Sequence, residues 1–439
     1  MNDSSRNMAA IRTAESGGGA AAGSLDASRR LALASGAFGN ILEWYDFAIY
    51  AYFAGVIGKT FFPGESPIAS LLTSLVVFGI GYVARPLGSI VIGRYADKHG
   101  RKPALVMTII LMAFSTVAIG LVPPFASIGI AAPILVTLAR VVQGFSSGGE
   151  ITGSMAFMVE WAPQNRRGFY GSFQSATVAV GILIGALTAT AVTVNLSADA
   201  AASWGWRVPF LCGGILAPIG FFMRRRISHE APTFEQAKEQ RVFHAGAVKQ
   251  ALRAFGTVIS WTTSYYICIL FMPTFLQNFG HIDRVTTLWI SSVTLLYLAP
   301  ASLLAGHLSD RFGRKPVLLC ACVGLIVLPY PLLKLVIDGE NIAAVIAVQI
   351  VLVTLVSLFG GAGPAAVSEL FPTRSRTTLM GIGYGFSTAI FGGFAPFIST
   401  LLIQKTGSPL APTGYLLVAA VISFFTILTS RETARDPLR

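Results

Sequence analysis

Five charged side chains stand inside stretches that are otherwise apolar. Glu43 and Asp46 lie in "GNILEWYDF" (39–47), Arg85 in "GIGYVARPLGSIVIG" (79–93), and Arg140 and Glu150 in "RVVQGFSSGGE" (140–150). An ionised group in hydrocarbon is costly, so each is a functional candidate by default. An arginine fork reads a carboxylate through two hydrogen bonds, which makes Arg85 and Arg140 candidate binders of an organic anion. For Arg85 the competing reading is a structural ion pair with an acid of the first apolar stretch. Asn40, Glu43, Asp46 and Tyr50 share one broad face of a helix. Burial favours a protonated carboxyl and a neighbouring arginine favours an ionised one, and a group poised between them can take and release a proton. Proton coupling is therefore expected of Asp46 and Glu43; the competing reading is a permanent salt bridge from Asp46 to an arginine. Gln143, Gly144 and Ser147 recur with Arg140 at helical spacing, adding Gln143 to the binding set. Glu150 follows "SSGG" (146–149), whose small residues suit close helix packing, and reads as a structural acid. Later in the chain, Trp261, Tyr265 and Tyr266, and Tyr384, Ser387 and Thr388, offer aromatic walls and hydroxyl donors. Tyr265, Tyr384 and Ser387 join the substrate-binding set on that ground, although Trp and Tyr are also ordinary interface residues.

The elements that must position these groups are membrane helices. The 439-residue chain is 54% hydrophobic and 12% charged, about half the charge of soluble domains. Twelve apolar stretches are each long enough to cross a ~30 Å hydrocarbon core: 31–58, 67–93, 103–122, 129–158, 168–195, 205–224, 250–279, 286–308, 315–335, 341–369, 377–404 and 410–430. With the N-terminus inside and the spans alternating, Lys59, Arg207, Arg284, Lys334 and Lys405 face outward, and Arg85 and Arg140 lie within spans. The other 25 of the 32 Lys and Arg face inward, as the positive-inside rule requires. The net charge of +12 thus reports orientation and not a nucleic-acid partner. Residues 1–30 read as a disordered cytoplasmic tail without the apolar core of a cleavable signal, so the first span is expected to stay. Cys212, Cys268, Cys320 and Cys322 fall in spans as packing residues. The five histidines are placed in loops and tails. No phosphate loop, nucleophile triad or metal cluster is visible, so no enzyme activity, cofactor or metal is expected.

The chain repeats itself. "RYADKHGRKP" (94–103) and "LSDRFGRKP" (308–316) each join the second span of a half to the third. "VEWAPQNRRGFYG" (159–171) and "SELFPTRSRTTLMG" (368–381) echo each other after spans four and ten. Two halves in parallel repeat are an architecture of secondary transporters, with the substrate site between them near the midplane. Gly93 and Gly306 permit close helix contact, and Gly100 and Gly313 a tight turn. Asp97 and Asp310 can meet a helix N-terminus or pair with Arg101 and Arg314, closing the cytoplasmic ends as a gate. The plainer reading is a pair of hydrophilic, positive-inside loops. Expected divisions are 1–30 tail, 31–224 N-terminal six-helix bundle, 225–249 cytoplasmic linker, 250–430 C-terminal bundle and 431–439 short tail.

The Gly-x-x-x-Asp-x-x-Gly-Arg-Lys run of residues 93–102 resembles the signature of the major facilitator superfamily. With "ARPLG" (84–88), "RVVQGFSSGGE" (140–150), "GFYGSFQ" (168–174), "WGWRVPF" (204–210), "ELFPTRSR" (369–376) and "IFGGFAPF" (390–397), the chain resembles its metabolite:proton symporter family. That family carries citrate, tricarballylate, 2-oxoglutarate, shikimate, and proline or betaine. The resemblance implies an all-α polytopic membrane protein of twelve transmembrane helices in two six-helix pseudo-symmetric halves. It also implies proton coupling at Arg140, and Gln174 within its motif joins the substrate-binding set. The expected function is proton-coupled import of a small organic anion, a di- or tricarboxylate such as citrate, by a monomer in a bacterial inner membrane with both termini cytoplasmic. The stretch around 390–400 is most like the citrate and tricarballylate branch, whereas Trp44–Tyr45 follows the general family pattern. The alternatives are a zwitterionic osmolyte (proline or betaine), another organic acid such as shikimate, a drug-exporting antiporter, and a membrane sensor without flux. Osmosensing relatives carry a long C-terminal coiled coil and this sequence stops nine residues after Ser430, so the osmolyte is expected second.

Overall fold

The computed structural model describes residues 30–31, 33–65, 67–225, 246–339 and 341–438; most of the expected linker and the N-terminal tail fall outside these. Twelve principal helices are present among the described residues. They are α1 (33–52), α2 (Pro67–His99), α3 (Arg101–Leu121), α4 (Ala131–Glu160), α5 (Arg167–Asn195), α6 (Arg207–Arg225), α7 (Ala247–Tyr265), α8 (Arg284–Phe312), α9 (Arg314–Val327), α10 (Ile342–Glu369), α11 (Arg376–Ser387) and α12 (Ala411–Leu428). Helical extensions lengthen several: Ala54–Phe61 after α1, Met272–Asn278 after α7, Pro329–Asp338 after α9 and Ala395–Thr406 after α11. Eight of these are individually long and apolar enough to cross a membrane, and α6 and α9 reach that length as bent pairs with their neighbouring segments. The two that remain, α1 and α4, are those with the polar stripes.

The charged motif between α2 and α3 is expected as a loop, yet helix occupies nearly all of it. α2 runs on to His99 and α3 begins at Arg101, leaving Gly100 alone between them; α8 and α9 are likewise separated by Gly313 alone. These glycines have φ of 112° and 104°, a left-handed backbone that a side chain would strain. A one-residue turn is possible because no Cβ is there. The symmetry extends further: a 3₁₀ turn precedes α5 (Gln164–Arg166) and another precedes α11 (Thr373–Ser375).

Small residues bring backbones together where charge must be placed. A Cβ on Gly144 of α4 would lie 1.8 Å from the Gly81 carbonyl of α2, and one on Gly88 would lie 1.8 Å from that of Phe145. α2 and α4, the carriers of Arg85 and Arg140, are therefore in backbone contact. Across the halves, Gly93 of α2 faces Thr378 of α11, and Gly306 of α8 faces Gly168 of α5. The outer surface is apolar, with Phe114, Ile215, Trp289 and Phe397 among its exposed side chains. Two expectations need correction. Cys320 is exposed on α9 and does not pack, while Cys268 and Cys322 are buried. His307 lies within α8, exposed one turn from its end, and not in a loop.

Candidate functional site

Glu43, Asp46, Arg85 and Arg140 are all buried within the first half, but they do not form one cluster. Arg85 Nη2 donates to Glu43 Oε1 at 3.4 Å, and the same oxygen accepts from the Ser147 hydroxyl. The Arg85 guanidinium rests on aromatic faces, 4.3 Å from the Tyr82 centroid and 4.5 Å from that of Phe47, contacts that hold a cation without neutralising it. Its Nε and Nη1 have no hydrogen-bond partner among the described residues. Asp46 belongs to a second chain of contacts. Arg140 Nη1 donates to Gln143 Oε1 at 2.7 Å, Gln143 Nε2 to the Thr116 hydroxyl at 2.8 Å, and Thr116 to Asp46 Oδ2 at 2.5 Å. Asp46 thus meets its arginine through two intervening side chains instead of a direct salt bridge. Phe47 separates the two systems, because Arg140 lies 4.8 Å from its centroid.

Between the halves lies a central cavity of about 30 Å³, room for roughly two waters. Trp44, Arg85, Gln174, Ser175 and Val178 line it from the first half, and Trp261, Thr262, Tyr265, Tyr266, Tyr384 and Thr388 from the second. Two wide π-helical segments, Tyr266–Phe271 and Thr388–Gly392, interrupt α7 and α11 at its wall; such segments are frequent at functional sites. Among the expected substrate residues, Arg85, Gln174, Tyr265 and Tyr384 meet at this wall. Arg140 and Gln143 sit behind it, in the first half. Asn40 donates to the Gln174 carbonyl and to Thr177, both at 2.7 Å, joining α1 to α5. Ser387 is buried, with its hydroxyl unpartnered among the described residues.

The two motifs expected to act as a gate are assembled across the halves at the end of the bundle where α2, α3, α8 and α9 meet. Asp97 accepts from the backbone N–H of Thr377 (3.2 Å) and Thr378 (2.8 Å) and from the Thr378 hydroxyl (2.6 Å), so an acid of the first half caps α11 of the second. Arg101 pairs with Asp97 at 2.5 Å and with Glu160 at 3.0 Å, and Glu160 with Arg376 at 2.6 Å. The second copy mirrors this. Asp310 accepts from the N–H groups of Gly168 and Phe169, both at 2.8 Å, capping α5. Arg314 pairs with Asp310 at 2.8 Å and with Glu369 at 3.2 Å, and Glu369 with Arg167 at 2.9 Å. An anion at a helix N-terminus meets both free N–H groups and the positive end of the dipole. Each aspartate therefore locks one half to the other.

Sequence reasoning placed Ser147 on the polar stripe of α4 without a role, and left out Trp44, Thr116 and the latch residues Glu160, Arg167, Glu369 and Arg376. The last four were legible in the second repeat, where an acid, a proline and two basic residues recur. Thr116 gave no signal, because a lone threonine in an apolar span is unremarkable until its neighbours are known.

Two half-bundles locked across their interface, with acids and arginines buried beside a cavity between them, are an architecture of membrane transporters. Residues 33–255 match the sugar (and other) transporter family and residues 253–437 the Major Facilitator Superfamily. The chain is 33% identical over 434 residues to the glycine betaine/proline/ectoine/pipecolic acid transporter OusA of Dickeya dadantii, covering 94% of this chain and 85% of that protein. It is 34% identical over 392 residues to a citrate-proton symporter of Salmonella typhi, covering 87% and 89%. In fold it resembles the proton:xylose symporter XylE, with a TM-score of 0.79, 14% identity and coverage of 93% of this chain and 97% of the other. The chain belongs to the major facilitator superfamily.

Proposed function

We propose that the protein imports a small carboxylate-bearing metabolite together with protons. The two halves, 31–224 and 250–430, alternate around the central cavity, and the latch end is cytoplasmic, as the distribution of basic residues supports. The observation that carries this reading is the state of Arg85. It reaches the central cavity, holds Glu43 by one long contact, and keeps two nitrogens without partners among the described residues. A substrate carboxylate entering the cavity competes with Glu43 for the fork. Glu43, released from its cation in a buried site, is then stabilised by taking a proton. Substrate and proton thereby enter together. Co-entry of protons also offsets the cost of bringing an anion into a negative interior, about 2.3 kcal/mol per charge per 100 mV.

The remainder of the substrate has two readings. The cavity wall holds one guanidinium and the rings of Trp44, Trp261, Tyr265, Tyr266 and Tyr384. One carboxylate receptor beside several aromatic faces suits a zwitterion with a quaternary or secondary ammonium, and the relationship to OusA supports that choice. The di- or tricarboxylate expected from the sequence needs a second cation. Arg140 supplies it only if Phe47, on which both guanidinium groups rest, swings aside.

Thermal stabilisation by glycine betaine, proline, citrate and tricarballylate separates these readings. Stabilisation by betaine or proline supports the first, and by citrate the second. Arg85→Ala should abolish either, because removing one partner of a desolvated charge pair costs about 2–5 kcal/mol. Arg85→Lys should rescue poorly, since an ammonium cannot make the forked contact. Unchanged ligand stabilisation of the alanine variant would remove Arg85 from the site.

A further inference from the structure

α1, α3, α4 and α6 enclose a second cavity wholly within the first half. It measures about 10 Å³, close to the space of one water. Three carboxylates line it, Glu43, Asp46 and Glu150, with Thr108, Ser146 and Gly213. All three are at most 3% exposed, and no lysine or arginine is in the lining. Among the described residues no three His, Cys, Asp or Glu side chains are grouped as metal ligands. Glu43 joins the two cavities: its Oε1 takes Arg85 and Ser147 beside the substrate site, and its Oε2 is buried without a partner among the described residues. Glu150 accepts from the Thr108 hydroxyl.

Three negative charges around one water-sized space, in a low dielectric and without a cation in the wall, repel too strongly to persist together. We propose that Glu150, expected from the sequence as a packing acid, is the relay through which the coupled proton leaves Glu43. The O–H bond of a protonated Glu43 breaks, and an O–H bond forms on a Glu150 carboxylate oxygen, directly or through one water. The negative charge returns to Glu43 after the substrate carboxylate has left, and Glu43 recaptures Arg85 and so keeps the substrate from rebinding. Glu150 lies ten residues before the latch acid Glu160 on α4, about 15 Å along the helix. The other titratable and charged groups around these carboxylates are Tyr45 on α1, whose ring lies beside Gly213, Arg85 on α2, Arg140 on α4, and Cys212 on α6 next to Tyr45; α3 presents the hydroxyls of Thr108 and Thr116.

The proposal rests on the exchange of partners at Glu43, and the test keeps the two apart. Wild-type protein and the variants E43Q, E150Q and E150D are reconstituted in liposomes with labelled glycine betaine or citrate, whichever the wild type carries. A one-unit pH gradient drives about tenfold accumulation per coupled proton, while exchange of labelled for unlabelled substrate at equal pH needs no net proton movement. E150Q should exchange at a rate within about twofold of wild type yet fail to accumulate, and E150D should restore accumulation. Thr108→Val should give the same split more weakly, so an unfolded E150Q does not decide the matter. If E150Q accumulates normally, or loses exchange and accumulation together, Glu150 is not a relay. If E43Q accumulates normally, the partner exchange at Glu43 is what fails.

Discussion

The two latches are made from the same parts, and the second carries an additional brace. At the first, Asp97, Arg101, Glu160 and Arg376 are all buried, and the turn before α11 closes over them: Arg101 donates to the Thr373 carbonyl at 2.5 Å and Arg374 to that of Asp97 at 2.9 Å. At the second, the C-terminal tail comes in. Glu432 accepts from the N–H groups of Arg314 (3.0 Å) and Lys315 (2.9 Å), capping α9. Thr433 donates to Glu369 Oε2 at 2.6 Å, and Arg167 donates to the backbone of Asp436. Glu369 already holds Arg314 and Arg167, so the tail binds the acid that joins α9, α10 and α5. Internal duplication explains a lock in each half. It does not explain the tail, which can alter one lock without altering its twin. Opening the second latch requires shedding tail contacts, whereas opening the first requires only that α2, α3 and α4 part from α11 and the turn before it.

The largest test of this comparison is Asp97→Asn against Asp310→Asn. Asp97 receives two backbone donors, a hydroxyl and a guanidinium. Its amide would leave Arg101 and Arg376 sharing Glu160 alone. Breaking a buried pair on one side costs about 3–5 kcal/mol, enough to depopulate the closed state. Initial uptake into proteoliposomes should fall at least about tenfold for Asp97→Asn, with ligand affinity within a few fold, because the cavity is untouched. Asp310→Asn should fall less, since Arg167 of the first half still pairs with Glu369 and donates to the tail backbone at Asp436. Equal losses would show that the tail contributes nothing; near wild-type uptake in Asp97→Asn would show that the first latch is not a gate.

Much of this was legible in the sequence. The repeat of Gly-x-x-x-Asp-x-x-Gly-Arg at 93–101 and 306–314 announces paired helix ends, because few other arrangements need an acid between two glycines beside a basic pair. The intramembrane charges were legible by their cost. Their partners were not. Arg85 could have met Glu43 or Asp46, three residues apart on one helix face, and the choice was settled by the depth at which Gly144 and Gly88 let α2 approach α4. Arg140 was expected at the central cavity and lies behind Phe47, an aromatic indistinguishable in sequence from any other apolar residue. The tail at 431–438 reads as a polar end; its role depends on α9 beginning beside it, a contact between residues more than a hundred positions apart.

A smaller effect is expected when the brace itself is cut. Thr433→Val removes one hydrogen bond to a charged acceptor, and Glu432→Gln weakens the cap of α9. Each should cost the closed state about 1 kcal/mol, since both are only partly buried. In otherwise unchanged protein, uptake should change by less than about fivefold. In Asp310→Asn, where the halves are held here by Arg167 on Glu369 and on the tail backbone at Asp436, the same substitutions should bring uptake down toward the level of Asp97→Asn. Additive small effects in both backgrounds would mean that tail and latch act independently.

The smallest expected effect is a pH dependence of the brace. Burial works to raise the Glu432 carboxyl, but the N–H groups of Ala434, Lys315, Arg314 and Thr433 outweigh it and hold the group below the usual carboxylate range. A carboxylate lowered in the docked tail contributes its stabilisation fully above the ordinary value of about 4.3, and that contribution is lost as pH falls through the lower docked value. Docking should therefore be indifferent to pH across the neutral range and should loosen only in acid. Hydrogen exchange at the Arg314 and Lys315 amides, the two that donate to Glu432, reports this directly. After correction for intrinsic rates, their protection should be equal at pH 6 and pH 8 and should fall below pH 4. In Glu432→Gln, protection should be lower throughout and lack the acid step. Loss of protection between pH 6 and pH 8 would mean that another group controls the tail, and an acid step that survives in Glu432→Gln would show that Glu432 is not its source.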